Sequence, residues 1–253
     1  MTADQIAVPK AARRWIAMSM LAACCGGIGC SQTNKRPFCE AVSPFQPGTT
    51  IAVAPALNFS GTSAFDPAKV ADFMASELSS VRGMRVIGVT RVLAVLGEQG
   101  LGQIHSPEHA LQVCDKLGAD FILVFAVTEY DPYRPVVGIA AQLYGRDKAG
   151  SSVNTTEGSH DSRPFSISDR ANAARPWGET QRVFNGVHKR VQHQVEEYAE
   201  ARSEDKSPYG WRKYLASQEW YLRFYCYNVA TDLMGISPCP AVAHAEHKKE
   251  FGS

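Results

Sequence analysis

The run ADFILVFAVT, residues 119–128, is the most strongly apolar strand-like segment of the chain. A strand covered on both faces reads as a near-continuous apolar run, so this segment is placed at the centre of a sheet. Its neighbours supply the rest of the layers. Residues 50–55 (TIAVAP) form a short β-branched strand that Pro55 stops. Over residues 67–81, Val70, Phe73, Met74, Leu78 and Val81 recur at helical spacing, and Asp66 before Pro67 supplies an N-cap. Residues 84–89 form a second strand, and Thr90 caps a short helix carrying Val92, Leu93 and Leu96. Ser106-Pro107 opens a further helix with Ala110, Leu111, Cys114 and Leu117 inward, ending at Gly118. Beyond the central run, Asp131-Pro132-Tyr133-Arg134-Pro135 turns the chain into a strand at 136–144, and Asp147-Lys148-Ala149-Gly150 turns it again into a polar edge strand at 151–156.

Residues 157–177 are polar, non-periodic and proline-bearing, and read as a linker or surface excursion. From Glu179 to Arg202 the spacing becomes helical, with Phe184, Val187, Val191, Val195 and Tyr198 on one stripe. Ser207-Pro208-Tyr209-Gly210 breaks the chain before a second helix with Leu215, Leu222, Cys226, Val229 and Leu233. Trp211, Tyr214, Tyr221 and Tyr225 lie beside that second stripe, so its apolar arc is broad and needs cover. Intramolecular packing is the ordinary fate of such an arc, and a partner-binding surface is the sharper reading. The expected class is α/β: a mixed sheet of about four to five strands with packing helices, followed by a carboxy-terminal helical pair. In boundaries this gives a signal peptide at 1–23, a tether at 24–48, an α/β domain at 49–156, the linker at 157–177, the helical pair at 178–236 and a polar tail at 237–253.

The 26 basic and 25 acidic residues among 253 nearly cancel, which removes the global field that would draw in nucleic acid. The amino-terminal segment WIAMSMLAACCGGI, residues 15–28, is too short for the roughly twenty apolar residues of a membrane-spanning helix. Lys10, Arg13 and Arg14 ahead of it, and small residues at its exit, fit a secretory signal. Leu21-Ala22-Ala23-Cys24 resembles the lipobox of bacterial lipoproteins, in which the cysteine thiol carries diacylglycerol and a dedicated peptidase cuts just before it. That resemblance implies lipidation of Cys24, a membrane anchor and a location in the cell envelope. A flexible segment after the lipid, three prolines within residues 31–48, would let the folded part stand off the membrane.

Of the six remaining cysteines, Cys114 and Cys226 fall on apolar helix faces and read as buried thiols. Cys30, Cys39 and Cys239 lie in loop-like surroundings that suit disulfides, with the pairing left open.

Ile51-Ala52-Val53-Ala54-Pro55 followed by Asn58-Phe59-Ser60-Gly61, and later Leu117-Gly118-Ala119-Asp120 leading into the central strand, resemble matching stretches of one group of envelope proteins. That group contains the TolB amino-terminal domain, the curli-export lipoprotein and the lipoprotein activators of penicillin-binding proteins. The likeness covers roughly residues 49–147, and Phe125 stands where the group tends to have glycine. It implies a non-enzymatic domain that binds other envelope proteins.

The sequence offers no catalytic set. No G-x-G-x-x-G, phosphate-binding loop, G-x-S-x-G or H-E-x-x-H is present. His105 and His109 are separated by a helix start, His188 and His193 face different ways on a helix, and Glu129 with Asp131 near a turn make only a weak acidic pair. No catalytic residue, cofactor or metal ligand is therefore assigned. The reading is a lipid-anchored adaptor for an envelope protein complex, with Trp211, Tyr214, Tyr221 and Tyr225 as candidate contacts and no nucleic-acid partner. The alternative is a secreted enzyme or small-ligand-binding protein.

Overall fold

A computed structural model describes residues 41–146, 153–156, 163–165, 174–202 and 208–236, all within one compact unit that begins at Phe38. The expected signal peptide, Cys24, the cysteines 25, 30, 39 and 239, and the polar tail lie outside the described residues.

Among the described residues seven strands form one mixed sheet. They are β1 (Thr49–Val53), β2 (Leu57–Asn58), β3 (Met84–Ile87), β4 (Phe121–Asp131), β5 (Val136–Gly145), β6 (Val153–Thr156) and β7 (Gly178–Asn185), in the order β3-β1-β4-β5-β7-β6 with β2 also on β4. The apolar run is central as expected: β4 pairs in parallel with β1 and β2 and antiparallel with β5, and residues 122–127 are fully buried. The helices are α1 (Pro67–Ser79), α2 (Val89–Glu98), α3 (Pro107–Leu117), α4 (Lys189–Ala201), α5 (Arg212–Ala216) and α6 (Gln218–Leu233). Asp66 caps α1 by accepting from the amides of Ala68 and Lys69, and Ser106 caps α3 by accepting from His109 N. Each helix therefore starts at the polar residue and proline that marked it in the sequence.

Alternation along the strands divides the core in two. One face of the sheet carries Ile51, Val53, Leu123, Phe125, Val127, Val137, Ile139 and Phe184 against α1, α4 and α6. The other carries Ala52, Ala54, Ile122, Val124 and Ala126 against Val92 and Leu96 of α2 and Ala110, Val113 and Cys114 of α3. Cys114 and Cys226 are free, buried thiols; burial pushes Cys114 up to about 11, and Cys226 is raised further for the same reason.

Two expectations are corrected. Residues 178–185 are a strand, not the start of a helix: β7 inserts between β5 and β6, and α4 begins only at Lys189. The polar strand β6 is an edge strand as expected, but it runs parallel to β7 and not beside β5. The carboxy-terminal helices pair as expected, Tyr198 of α4 meeting Phe224 and Tyr227 of α6 at ring-centroid distances of 5.5 and 5.2 Å, and the rest of α6 lies on α1 and on β5 and β7. Their apolar arc is wider than one partner helix covers, so the sheet takes up the rest.

The chain enters the fold earlier than the expected boundary at Thr49. Val42 bridges Arg82, Gly48 N donates to Gly83 O, and Phe45 packs on Phe121 and Trp177 at centroid distances of 4.6 and 4.7 Å. These contacts gather at the base of the sheet, where β1 and β4 begin. Ten rises along β4 put Asp131 roughly 33 Å from Phe121, so the β4–β5 turn marks the opposite end.

Candidate interaction end

Four short segments meet at that far end, and in the first three polar backbone contacts leave an apolar side chain exposed. In the β4–β5 turn, Asp131 Oδ1 accepts from the amides of Tyr133 (2.9 Å) and Arg134 (3.1 Å), while Oδ2 takes Arg134 Nε at 2.6 Å. Those donors hold the Asp131 carboxyl below its ordinary range, the Tyr133 amide contributing most. Gln218, at the start of α6, donates Nε2 to the carbonyls of Asp131 (2.8 Å) and Arg134 (2.9 Å). The turn thus holds Tyr133 93 % exposed on a rigid support.

The second segment is the β7–α4 corner. Gly186 N donates to Pro135 O at 2.7 Å, and a Cβ on Gly186 would lie 2.8 Å from Pro135 Cγ and 2.9 Å from Leu215 Cδ2, so even a methyl there must displace its neighbours. Next to it Val187 is exposed. The third segment follows β2. Asn58 Oδ1 accepts from the amide and hydroxyl of Ser60, its Nδ2 donates to Thr62 O at 2.6 Å, and Phe59 N donates to Val127 O at 2.9 Å, leaving the Phe59 ring half exposed. The Asn-Phe-Ser-Gly stretch is therefore a self-braced loop.

Between these segments the sheet bulges at Val127/Glu129. Gly138 faces the bulge, where a Cβ would lie 2.6 Å from Thr128 Oγ1. An open cleft of about 620 Å³ lies alongside, lined among others by Glu129, Val136, Val183, Asn185, His188 and Lys189. Asp131 is committed to the turn while Glu129 lines the cleft, so the two carboxylates do not act as a pair.

The fourth segment carries the aromatic residues singled out in the sequence. Three of the four point inward: Tyr214, Tyr221 and Tyr225 are 0 % exposed. Tyr225 Oη donates to Arg182 O and accepts from Ile139 N at 3.3 Å, tying α6 to β5 and β7; burial raises its pKa well above the ordinary tyrosine value. Tyr214 meets Tyr198 and Trp220 edge-on at 5.3 and 5.4 Å, and Tyr221 stacks on Phe224 at 5.9 Å. As partner contacts these three are corrected, because Tyr221 and Tyr225 lie on the buried arc of α6 and Tyr214 of α5 is enclosed between Tyr198 and Trp220. Trp211 stays at the surface, half-buried, together with Trp220 and with Tyr209, which is 74 % exposed. Cations lie over the two tryptophans and a neighbouring ring of α1: Arg212 is 4.9 Å from the Trp211 centroid, Lys213 4.2 Å from Trp220, and Arg223 4.7 Å from Phe73.

The histidine pair resolves into structure. The rings of His105 and His109 stack at 6.0 Å, His109 Nδ1 accepts from His105 N at 3.3 Å, and Nε2 meets Gln99 Oε1 at 2.7 Å. Both nitrogens of His109 are occupied, and desolvation followed by His105 lowers its pKa, which favours the neutral ring. Among the described residues there is no group of three or more His, Cys, Asp or Glu side chains placed to hold a metal ion. Nor is any described helix long and apolar enough to cross a membrane.

No protein family model matches the chain, and no curated protein matches it. Solved structures do. The chain is similar to lipoprotein GNA1162 from Neisseria meningitidis at 16 % identity over 63 % of this chain and 99 % of that one, with a TM-score of 0.38. It is similar to the LpoB C-terminal domain from Salmonella enterica at 13 % identity over 40 % and 75 %, with a TM-score of 0.34. It is also similar to the hypothetical protein CT253 from Chlamydia trachomatis at 14 % identity over 69 % and 98 %, with a TM-score of 0.31. At these values none of the three carries functional weight.

Two polar networks escaped the sequence. Gln142, wholly buried on β5, accepts from Phe165 N and donates to Phe165 O, both at 3.0 Å, and also receives the Tyr144 hydroxyl at 3.0 Å. On the other face, Glu77 of α1 accepts from Tyr198 Oη at 3.0 Å and pairs with Arg202, whose guanidinium lies 3.7 Å from the Tyr198 ring centroid. A lone glutamine in a strand and a lone glutamate in a helix stripe carry no local signal; only the register brings their partners to them.

Proposed function

We propose that this chain is a lipid-anchored envelope lipoprotein that works as a non-enzymatic adaptor or assembly factor for an envelope protein complex. Two sequence features support the reading: the lipobox-like Leu21-Ala22-Ala23-Cys24 and the resemblance of residues 49–147 to a group of envelope-protein-binding domains. The observation that carries it is polar. The chain enters the fold at the base through Val42 and Phe45, while Phe59, Tyr133 and Val187 are presented on braced turns at the far end. An anchor at the base would leave that far end turned toward whatever lies across from the membrane. Rigid, exposed apolar side chains suit partner contact because little conformational entropy is lost when they are covered.

The test has two arms. Metabolic labelling with a lipid precursor should mark the wild type and not Cys24→Ala, which should move to the soluble fraction. A photo-crosslinking residue at Tyr133 or Val187 should give a discrete heterologous adduct in cells, and one at Leu101, exposed just past the end of α2, should not. Unlabelled wild type sinks the anchor; equal adducts from all three positions sink the end-on contact.

A further inference from the structure

On the sheet face that carries Ile122, Val124 and Tyr144, strands β5 and β7 bring a buried polar set together. Gln142 of β5 and Glu179 of β7 are register partners, and Tyr144 stands two residues from Gln142 on the same side. A side-chain amide offers two donors and two acceptor sites. In Gln142 all four are used: Nε2 donates to Phe165 O at 3.0 Å and to Glu179 Oε2 at 3.4 Å, and Oε1 accepts from Phe165 N and from the Tyr144 hydroxyl, both at 3.0 Å. Arg163 Nη1 lies 3.5 Å from Glu179 Oε1, and the Phe165 ring packs on this core 6.3 Å from the Tyr144 ring. The short segment Arg163-Pro164-Phe165 is thus read at a cation, at a ring two places on, and at the N–H and C=O of the residue that bears the ring.

Covering a sheet face needs only apolar packing, which costs less than burying an amide and a carboxylate. A purely apolar cover would leave Gln142 and Glu179 buried without matching groups, so only a segment of this chemistry closes the slot without that penalty. We propose that this slot on β5 and β7 is a peptide-binding site for a segment with a cation two residues ahead of an aromatic residue, filled here by the chain's own Arg163-Pro164-Phe165 and open to the matching segment of a partner protein. The proposal does not rest on the adaptor reading. Charge selects the occupant, because the buried Glu179 carboxylate takes a cation and rejects an acidic side chain. A second copy brings the same three residues, and exchanging them between copies adds no contact while it costs association entropy. The tethered segment competes at an effective concentration on the order of millimolar. Only a partner that adds contacts of its own displaces it, so the free chain holds the site shut.

The experiment uses the full chain with Cys24→Ala and a fluorescein-labelled peptide of residues 161–167, DSRPFSI, with binding read by anisotropy. The slot is emptied by the triple substitution Arg163→Gly, Pro164→Gly, Phe165→Gly. The expected result is saturable binding to the triple variant, at least tenfold tighter than to the wild type. Adding Gln142→Leu or Glu179→Gln to the triple variant should weaken binding at least tenfold, and a peptide with glutamate in place of the arginine should not bind. Circular dichroism and melting show that each variant is folded; should the triple variant unfold, Phe165→Ala takes its place, with a smaller gain over the wild type expected. Sedimentation of the wild type and the triple variant runs in parallel. No binding to the emptied slot, equal binding to the wild type, indifference to Gln142 and Glu179, or a wild-type dimer that the triple substitution dissolves would each overturn the proposal. Crosslinks from Tyr133 and Val187 report on the far end alone, so failure here leaves the adaptor reading standing.

Discussion

The two faces of the sheet are covered by different means. On one, α1, α4, α5 and α6 bring large side chains: Tyr198, Tyr214, Tyr221 and Phe224 are linked by ring contacts, and Phe224 and Tyr225 meet Phe184 of β7 edge-on. On the other, α2 and α3 cover β1 and β4 with small and branched residues, and beyond them Gln142 holds the 163–165 segment against the sheet. The amide of Gln142 offers the backbone of Phe165 one donor and one acceptor, as a neighbouring strand would. A helix advertises its burial through a repeating stripe; a clasped loop depends on one side chain, so the first kind of cover is readable in a sequence and the second is not.

That contrast orders the expected effects of substitution. Phe224→Ala removes a ring from the centre of the helical face and should cost about 4 kcal/mol, read as a fall in the urea midpoint. Gly186→Ala forces a methyl against Pro135 and Leu215 at the far end, and about 1–3 kcal/mol of overpacking strain is expected together with loss of the Tyr133 crosslink. Gln142→Leu leaves Phe165 N–H and C=O without their partner at about 1–3 kcal/mol. Because it acts on the clasped face alone, protease cleavage between residues 156 and 174 should rise more than global stability falls. Equal damage to both faces would erase the distinction.

A fourth expectation concerns pH. Burial raises the pKa of Glu77 against the opposing pull of Arg202 and the Tyr198 hydrogen bond. A carboxyl raised in the folded state binds its proton more tightly there than when unfolded. Its contribution is therefore fully present below the unfolded value near 4.5 and is lost as pH climbs through the folded pKa. Stability curves of wild type and Glu77→Gln should differ in slope above pH 4.5, the variant declining less. The smallest effect belongs to Lys69 and Glu219, both more than half exposed: Glu219→Ala should change stability by less than about 1 kcal/mol, and a larger loss would show that the α1–α6 contact depends on that pair.

Most of residues 49–146 was legible because the elements carried their own signals: Asp66 and Ser106 before prolines, the apolar run of β4, and a turn with two prolines; the two-residue β2 carried none, and α2 begins at Val89 with Gly88, not Thr90, at its N-cap. The strand β7 carried a competing signal. Phe184, Val187, Val191, Val195 and Tyr198 continue one helical spacing across the strand–helix boundary, while Glu179 and Gln181 on the clasped face offer no apolar alternation to oppose it. The same limit applied to the aromatic residues of α6. Their broad arc was plain, but which part faced the sheet depended on β7 being there, and without that strand Tyr225 had no Arg182 carbonyl to reach.

The positions of the entry point and the far turn also bear on how the domain would carry a load. A pull between the base of β1 and the β4–β5 turn acts along the strands. In that direction β1 slides against β3 and β4, and the hydrogen bonds of both parallel ladders resist together. Peeling a strand from the edge would break them one at a time. Gln218 ties the turn back to α6, so the force also reaches the aromatic core before the hairpin can open. A domain anchored at one pole and grasped at the other would thus be strained in its mechanically stiffest direction.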